Sequence, residues 1–275
     1  MRWPAEAIWE AVEPMLPGFT VEILPSIGST NSELMRRFRA AAQVEPCLLV
    51  AEHQTAGRGR VGRTWQSSAG ASLTFSLGMA MDPVEWSGLS LAVGVSLAQS
   101  LSPLSAGVRP VLGLKWPNDL WLDERKLGGI LVETASAGDL RYVVVGVGLN
   151  VLRQESVATP EVGAFTAASL DELDPAWRAP SVLQAVVAPL VQDLQAFAQL
   201  GFGAFQTRFA ARDVLAGREV MLSNSNAGTA HGVSESGALR ILTAKGMQEV
   251  SSSEVSVRPR GHALPMAFDA GQSAC

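Results

Sequence analysis

The sequence predicts an α+β protein: a sheet with flanking helices, followed by a small all-β module. Three observations carry this. Blocks with apolar residues at helical spacing are interleaved with apolar, strand-like runs. Two of those runs are joined by Ser136-Ala137-Gly138-Asp139, which reads as a hairpin and hence antiparallel pairing. After about Arg212 the chain turns into short strand candidates separated by Gly-, Asn- and Ser-rich turns.

Taken in order, a first helix is expected over residues 4–15 and a strand over Val21 to Ile27. Thr30-Asn31-Ser32-Glu33 has the pattern of a capping box ahead of Leu34, Met35 and Phe38. Pro46 to Gln54 reads as a buried strand, and Ala71 to Met79 alternates like another. Trp86, Leu89, Val93, Leu97 and Leu101 recur at helical spacing, with Leu91 and Val95 as a second stripe, so that helix should be well buried. Val111 to Trp116, Lys126 to Ala135 and Leu140 to Val151 are strand-like, residues 152–166 are a polar loop, and Leu183 to Phe197 is a helix with Pro189 as a bend. These elements divide the chain into a catalytic domain over 1–211, a β module over 212–260 and a loose tail over 261–275.

Bulk properties narrow the function. The 275 residues are 47% apolar and 17% charged, with a formal net charge of −5, so a long polyanion is a poor partner for the molecule as a whole. The N-terminus carries three glutamates and lacks the basic-then-apolar order of a secretory signal. No unbroken apolar run reaches the ~18 residues of a membrane span. Two cysteines, Cys47 and Cys275, give no disulfide framework or metal cluster, which fits a cytoplasmic setting. His53, His231 and His262 are scattered and read as non-ligands.

Four motifs carry chemistry. Ala56 to Trp65, AGRGRVGRTW, packs three glycines, three arginines and a tryptophan into ten residues. Arginine forks suit phosphates and carboxylates, and Trp65 offers a stacking face. Gly57, Gly59 and Gly62, with Asp82 beyond them, imitate a dinucleotide fingerprint. That fingerprint needs a helix opening directly after the glycines, and Arg63 to Gly70 reads as more loop. Ser29-Thr30-Asn31 is a helix cap in its plain reading, with side chains to spare for a small polar head group. In Leu114 to Glu133, Lys115, Asn118, Asp119 and Lys126 stand near a Trp-Pro turn. Asp123 to Arg125 reads as a solvated tip, while Lys126 opens a strand in which Gly128 and Gly129 leave room for a ligand. Val143 to Val151 reads as a strand buried on both faces; Asn150 at its end either bonds neighbouring backbone or faces a ligand.

Taken together these residues resemble the biotin protein ligase family. The match comprises Ser29 to Asn31, Ala51 to Trp65, Lys115 to Glu133 and Gly146 to Val151, in the family's order and spacing, and it covers the chain from about residue 20 to 260. The resemblance implies a mixed, largely antiparallel sheet with flanking helices, as in class II synthetases, and a small C-terminal SH3-like β-barrel. It implies ATP-dependent, AMP-forming activation of biotin to biotinyl-5′-AMP with release of pyrophosphate. Transfer to one lysine of the biotin carboxyl carrier protein of acetyl-CoA carboxylase follows. By similarity, Ser29, Thr30, Asn31, Gln54, Gly57, Arg58, Lys126, Gly128 and Gly129 bind biotin. Arg58, Arg60, Arg63, Trp65, Asn118, Lys126 and Asn150 bind ATP or the adenylate. Lys126, Arg60 and Asp119 are the catalytic candidates. Asp119 is placed by the phosphates and Mg²⁺, where it would orient or deprotonate the acceptor amine.

Two departures from the family pattern matter. Fewer than thirty residues precede Ser29, where a winged helix-turn-helix needs roughly 60, so no operator binding is expected. Ser251-Ser252-Ser253-Glu254 replaces a glycine-containing stretch, which weakens the expectation for a C-terminal role around ATP and for Arg258. A lipoate ligase of the same superfamily is the rival enzyme reading, disfavoured by the GRGRVGR loop and KWPND. A nucleic-acid binder is the rival non-enzyme reading, disfavoured by the acidic net charge. The sequence leaves the oligomeric state open, a homodimer included.

Overall fold

The computed structural model describes residues 1–40, 45–102, 112–153, 167–222, 227–251 and 257–259. Within them the larger sheet has seven strands: β1 (Thr20–Leu24), β2 (Cys47–Ala51), β3 (Ser72–Ala80), β4 (Leu112–Lys115), β5 (Asp119–Leu122), β6 (Arg125–Ala137) and β7 (Leu140–Asn150). Their order is β1-β2-β3-β7-β6-β5-β4. β1 and β2 are parallel and every other neighbouring pair is antiparallel, so the fold is the expected mixed, largely antiparallel α+β sheet.

Both faces of the sheet are covered, which explains its continuous apolar runs. On one face, α2 (Thr30–Arg39) sets Leu34, Met35 and Phe38 against Cys47, Leu49, Tyr142 and Val144. The other face carries α1 (Ala5–Val12), α3 (Leu89–Leu101) and α4 (Ala179–Leu200) over Leu48, Val50, Phe75, Val143, Val145 and Val147. Side chains alternate across a strand, so Val143 and Val144 serve different cores.

Several elements differ from expectation. α1 ends at Val12 because Ile8 and Val12 are its only buried residues and the chain turns beyond them. The cap of α2 is Ser29, whose hydroxyl accepts from Ser32 N, one residue earlier than the capping-box pattern. Glu33 turns away from the cap to Arg36 and Arg37. β5 stands where only a turn and a tip were expected. Asp123 and Glu124, both at positive φ, make the tight turn that folds it onto β6. α4 runs through Pro189 and is longer than expected. By length and composition α4 could cross a membrane, yet Val182, Leu183, Val186, Leu190, Leu194 and Phe197 are buried in the core. The core therefore accounts for its apolarity. Cys47 is a buried free thiol.

The C-terminal module is an antiparallel sheet of β8 (Glu219–Leu222), β9 (Ala227–Val233), β10 (Leu239–Thr243), β11 (Gly246–Val250) and β12 (Val257–Pro259), in the order β11-β10-β9-β8-β12. Its Val220, Ala230, Leu239 and Ile241 join the main core. The junction is closely bonded: Leu114 N donates to Arg212 O (2.8 Å) and Val214 N to Leu114 O (3.0 Å). The buried Arg212 donates to Leu112 O at 2.8 Å and to Ser102 O. α5 (Gln206–Ala210) leads into it. The expected 261–275 tail, Cys275, most of the 152–166 loop and Ser252 to Glu254 lie outside the described residues.

Candidate active site

A cleft opens over the middle of the larger sheet, between the N-terminus of α2, the glycine loop and the β4–β5 turn. It is lined by Ser29, Thr30, Asn31, Gln54, Arg58, Arg60, Arg63, Trp65, Asn118, Asp119, Lys126 and Gly129 among others. Counting the open solvent at its mouth, it spans about 950 Å³. No helix opens after Gly62. Arg60 to Gly62 form a single 3₁₀ turn and the chain then extends into β3, so the dinucleotide geometry is absent.

At one end the cleft is a polar cradle. Gln54 Oε1 accepts from Thr30 N (2.7 Å) and from the Thr30 hydroxyl (3.2 Å). The buried Ser76 hydroxyl donates to Asn31 Oδ1 (2.6 Å) and lies 2.7 Å from Thr30 Oγ1. Asn31 Nδ2 donates to Leu131 O (3.2 Å) and Glu133 Oε2 (3.0 Å). The helix cap and the cradle are thus built from the same three residues: Ser29 closes the helix end while Thr30 and Asn31 face β3 and β6.

The other end is charged. Lys126 Nζ lies 2.7 Å from Asp119 Oδ1. Asp119 pairs with Gly129 in the β5–β6 register, and β6 then carries Lys126 along the cleft. Asn118 Nδ2 donates to Ile130 O (2.8 Å). Burial pulls the Arg60 guanidinium below its ordinary value, and the Asp119 charge acts in the opposite direction. Arg58 reaches across to Glu133, with Nη2 3.1 Å from Oε1. The loop itself is pinned by Gly59 N to Arg63 O (2.7 Å) and Trp65 N to Gly57 O (2.9 Å).

Two glycines of β7 make room for this lining. A methyl on Gly146 would lie 2.1 Å from Asn31 Oδ1, and one on Gly148 would lie 2.4 Å from Trp65 Cε2. The indole of Trp65 therefore lies on bare backbone, and its buried Nε1 finds no partner among the described residues. At the loop tip Val61 is 83% exposed and holds φ 55, a strained choice for a β-branched residue.

Three expected site residues stand behind the lining. Gly57 packs under Trp65 O, Gly128 packs against Gly148 O, and Asn150 donates to Ala168 O at 3.0 Å. Their positions shape the loop and strands that carry the cleft residues. Conversely, Ser76, Glu133, Gly146 and Gly148 belong to the site's framework and were not singled out as site residues from sequence. Asp119 supplies the one carboxylate at the charged end of the lining, and no group of three or more His, Cys, Asp or Glu able to hold a metal occurs among the described residues.

Residues 23–150 match the Biotin/lipoate A/B protein ligase family, and residues 221–258 match the Biotin protein ligase C terminal domain. The chain is 42% identical over 144 residues to the biotin–[acetyl-CoA-carboxylase] ligase of Mycobacterium tuberculosis, covering 51% of this chain and 53% of that protein, so it spans about half the length of that relative. It is 33% identical over 250 residues to the bifunctional ligase/repressor BirA of Escherichia coli, covering 88% of this chain and 75% of that one. Among solved structures, the biotin protein ligase from Aquifex aeolicus in complex with biotin and ATP superposes with a TM-score of 0.71 at 30% identity, over 87% of this chain and 98% of that chain.

Proposed function

This chain belongs to the biotin protein ligase family, and from that membership we propose that it is an ATP-dependent biotin–[acetyl-CoA-carboxylase] ligase. The biotin carboxylate attacks the α-phosphate of ATP, forming biotinyl-5′-AMP and expelling pyrophosphate. A lysine amine of the biotin carboxyl carrier protein then attacks the mixed anhydride, forming an amide and releasing AMP. The observation that carries this reading is one cleft joining a polar cradle to a cationic end, in a chain similar to a ligase whose structure holds both biotin and ATP. The same likeness favours biotin over lipoate.

The chemistry assigns each residue a task. Ser29, Thr30, Asn31 and Gln54 take the ureido ring, with Arg58 and Gly129 offering backbone. Lys126 meets the carboxylate and the α-phosphate together, which is what two approaching anions require. Arg60 and Arg63 neutralise the phosphates. Trp65 stacks on adenine through the ring face turned away from β7. Asn118 lies by the phosphates. Gly57, Gly128 and Asn150 act from behind by setting the loop and strand geometry. Asp119, now 2.7 Å from Lys126, is freed when Lys126 turns to the substrate, and it then accepts the proton of the incoming amine. Mg²⁺ fits a site with one carboxylate and substrate phosphates, the usual way that ion is held. Bound there with ATP, it would withdraw charge from the leaving pyrophosphate. The setting proposed is the cytoplasm. No nucleic acid is assigned, since the arginines line a small cleft in a chain of net charge −5.

Pyrophosphate release is the direct test. It is expected to require biotin and to fall by about 10²–10³ in the Lys126→Ala variant, the usual loss when one preorganised donor is removed. The variant should melt like the parent, since the side chain is 44% exposed. Biotin-independent release would refute the reading.

A further inference from the structure

Glu133 has no task in the chemistry above, yet it joins the two halves of the cleft. It lies on β6 and is 20% exposed. Both of its oxygens receive the Arg58 fork: Nη2 at 3.1 Å from Oε1 and Nη1 at 3.2 Å from Oε2. Oε2 also accepts from Asn31 Nδ2 at 3.0 Å. Arg58 Nη1 further donates to Ser32 Oγ at 3.2 Å, so the loop arginine is held against α2 as well as β6.

The consequence lies in the orientation of Asn31. Its amide nitrogen is committed to Leu131 O and Glu133, so its oxygen must face the Ser76 hydroxyl. Ser76 in turn lies 2.7 Å from Thr30 Oγ1, and Thr30 donates to Gln54 Oε1. One unbroken chain of polar contacts therefore runs from the glycine loop through Glu133, Asn31, Ser76 and Thr30 to Gln54. In a partly buried network each member fixes the next, and a half-satisfied network loses that definition.

We propose that Glu133 is a positioning residue that latches the glycine loop to the Thr30–Gln54 cradle, so that loop and cradle form one preset surface for the vitamin. The identity of the vitamin rests on the ligase reading; the latch does not. A carboxylate suits this place because it offers two acceptor oxygens, whereas a glutamine has one acceptor and two donors. A glutamine oxygen at the Oε2 place could still accept from Asn31 and Arg58 Nη1, but its amide group would then face Arg58 Nη2 donor to donor, so half of the fork and the ion pair are lost.

Hydrogen exchange of the ligand-free protein, paired with steady-state kinetics, tests the latch. The Glu133→Gln variant should exchange the loop amides of Gly59 and Trp65 faster than the parent, by up to about fivefold for a partly exposed ion pair. Its KM for biotin should rise by a similar factor, with a smaller change in kcat. The Arg58→Gln variant approaches the pair from its half-exposed end, where folding is not at risk, and should give the same result. The double variant should be no worse than either single one, because the pair acts as a unit. Parental loop exchange, an unchanged KM for biotin, or additive losses would each overturn the latch. A parent protein that releases no pyrophosphate with biotin would instead fail the ligase reading, and the exchange result would stand apart from it.

Discussion

A methyl group is enough to test how the Trp65 wall of the cleft is built. Gly148 leaves the Trp65 ring lying on β7 backbone, and an added Cβ would stand 2.4 Å from Cε2. The Gly148→Ala variant should therefore displace the indole. Stacking of a base on an aromatic ring contributes ~1–3 kcal/mol, so ATP binding should weaken by about tenfold or more and biotin binding by less, as read by calorimetry. Equal loss for both ligands would contradict the assignment of Trp65. This residue scale is where sequence reading was both strongest and most limited. Trp65, Lys126 and the arginines announce themselves because charge and aromaticity are out of place in a glycine loop or at the head of an apolar strand. Ser76 and Glu133 do not, since a serine or glutamate within a strand is ordinary until three elements meet around it. Gly146 and Gly148 read as part of an apolar run because a glycine's task, here the space it leaves for Asn31 and Trp65, exists only across the sheet.

Between elements, the junction after α5 sets the position of β4, and through it the Trp116 to Asp119 turn. Asp213 sits in that junction. Leu215 N donates to its Oδ1 at 2.8 Å, while its buried Oδ2 has no partner among the described residues. Burial pushes its carboxyl up to about 6 from an ordinary 3.8. A raised carboxyl means that the folded state keeps a proton the unfolded state releases, so stability falls as pH rises between about 4 and 6 and is not regained above that window. The Asp213→Asn variant removes this slope. Its melting temperature relative to the parent should climb from pH 4 to pH 7, and parallel curves would contradict the burial argument. α3 was legible from its helical spacing and β7 from its unbroken apolar run. β5 was not: four residues following a Trp-Pro turn carry too little pattern, and only the positive-φ pair Asp123 and Glu124 makes the hairpin. The α2 cap shifted by one residue because Thr30 N is claimed by Gln54, a contact between distant segments.

Over the whole molecule, the C-terminal sheet braces a turn that borders the cleft. Trp116 is fully buried and its Nε1 donates to Gly237 O at 3.0 Å, so a turn of the C-terminal sheet supports the segment that presents Asn118 and Asp119. Composition could place a small β module after Arg212, but no local pattern says which surface it would support. The continuity of Val220, Leu239 and Ile241 with the main core supplies that answer. The central claim is that this assembled cleft makes a biotinyl adenylate and hands it to a carrier lysine. Mass spectrometry of a biotin carboxyl carrier domain, incubated with the full chain, ATP, Mg²⁺ and biotin, tests it most directly. The account predicts that the carrier gains one biotinyl group on one lysine, only when ATP and biotin are both present. It also predicts that the Asp119→Asn variant slows transfer from preformed biotinyl-5′-AMP. A carrier left unmodified by the parent protein, or modified equally well when lipoate replaces biotin, would contradict it.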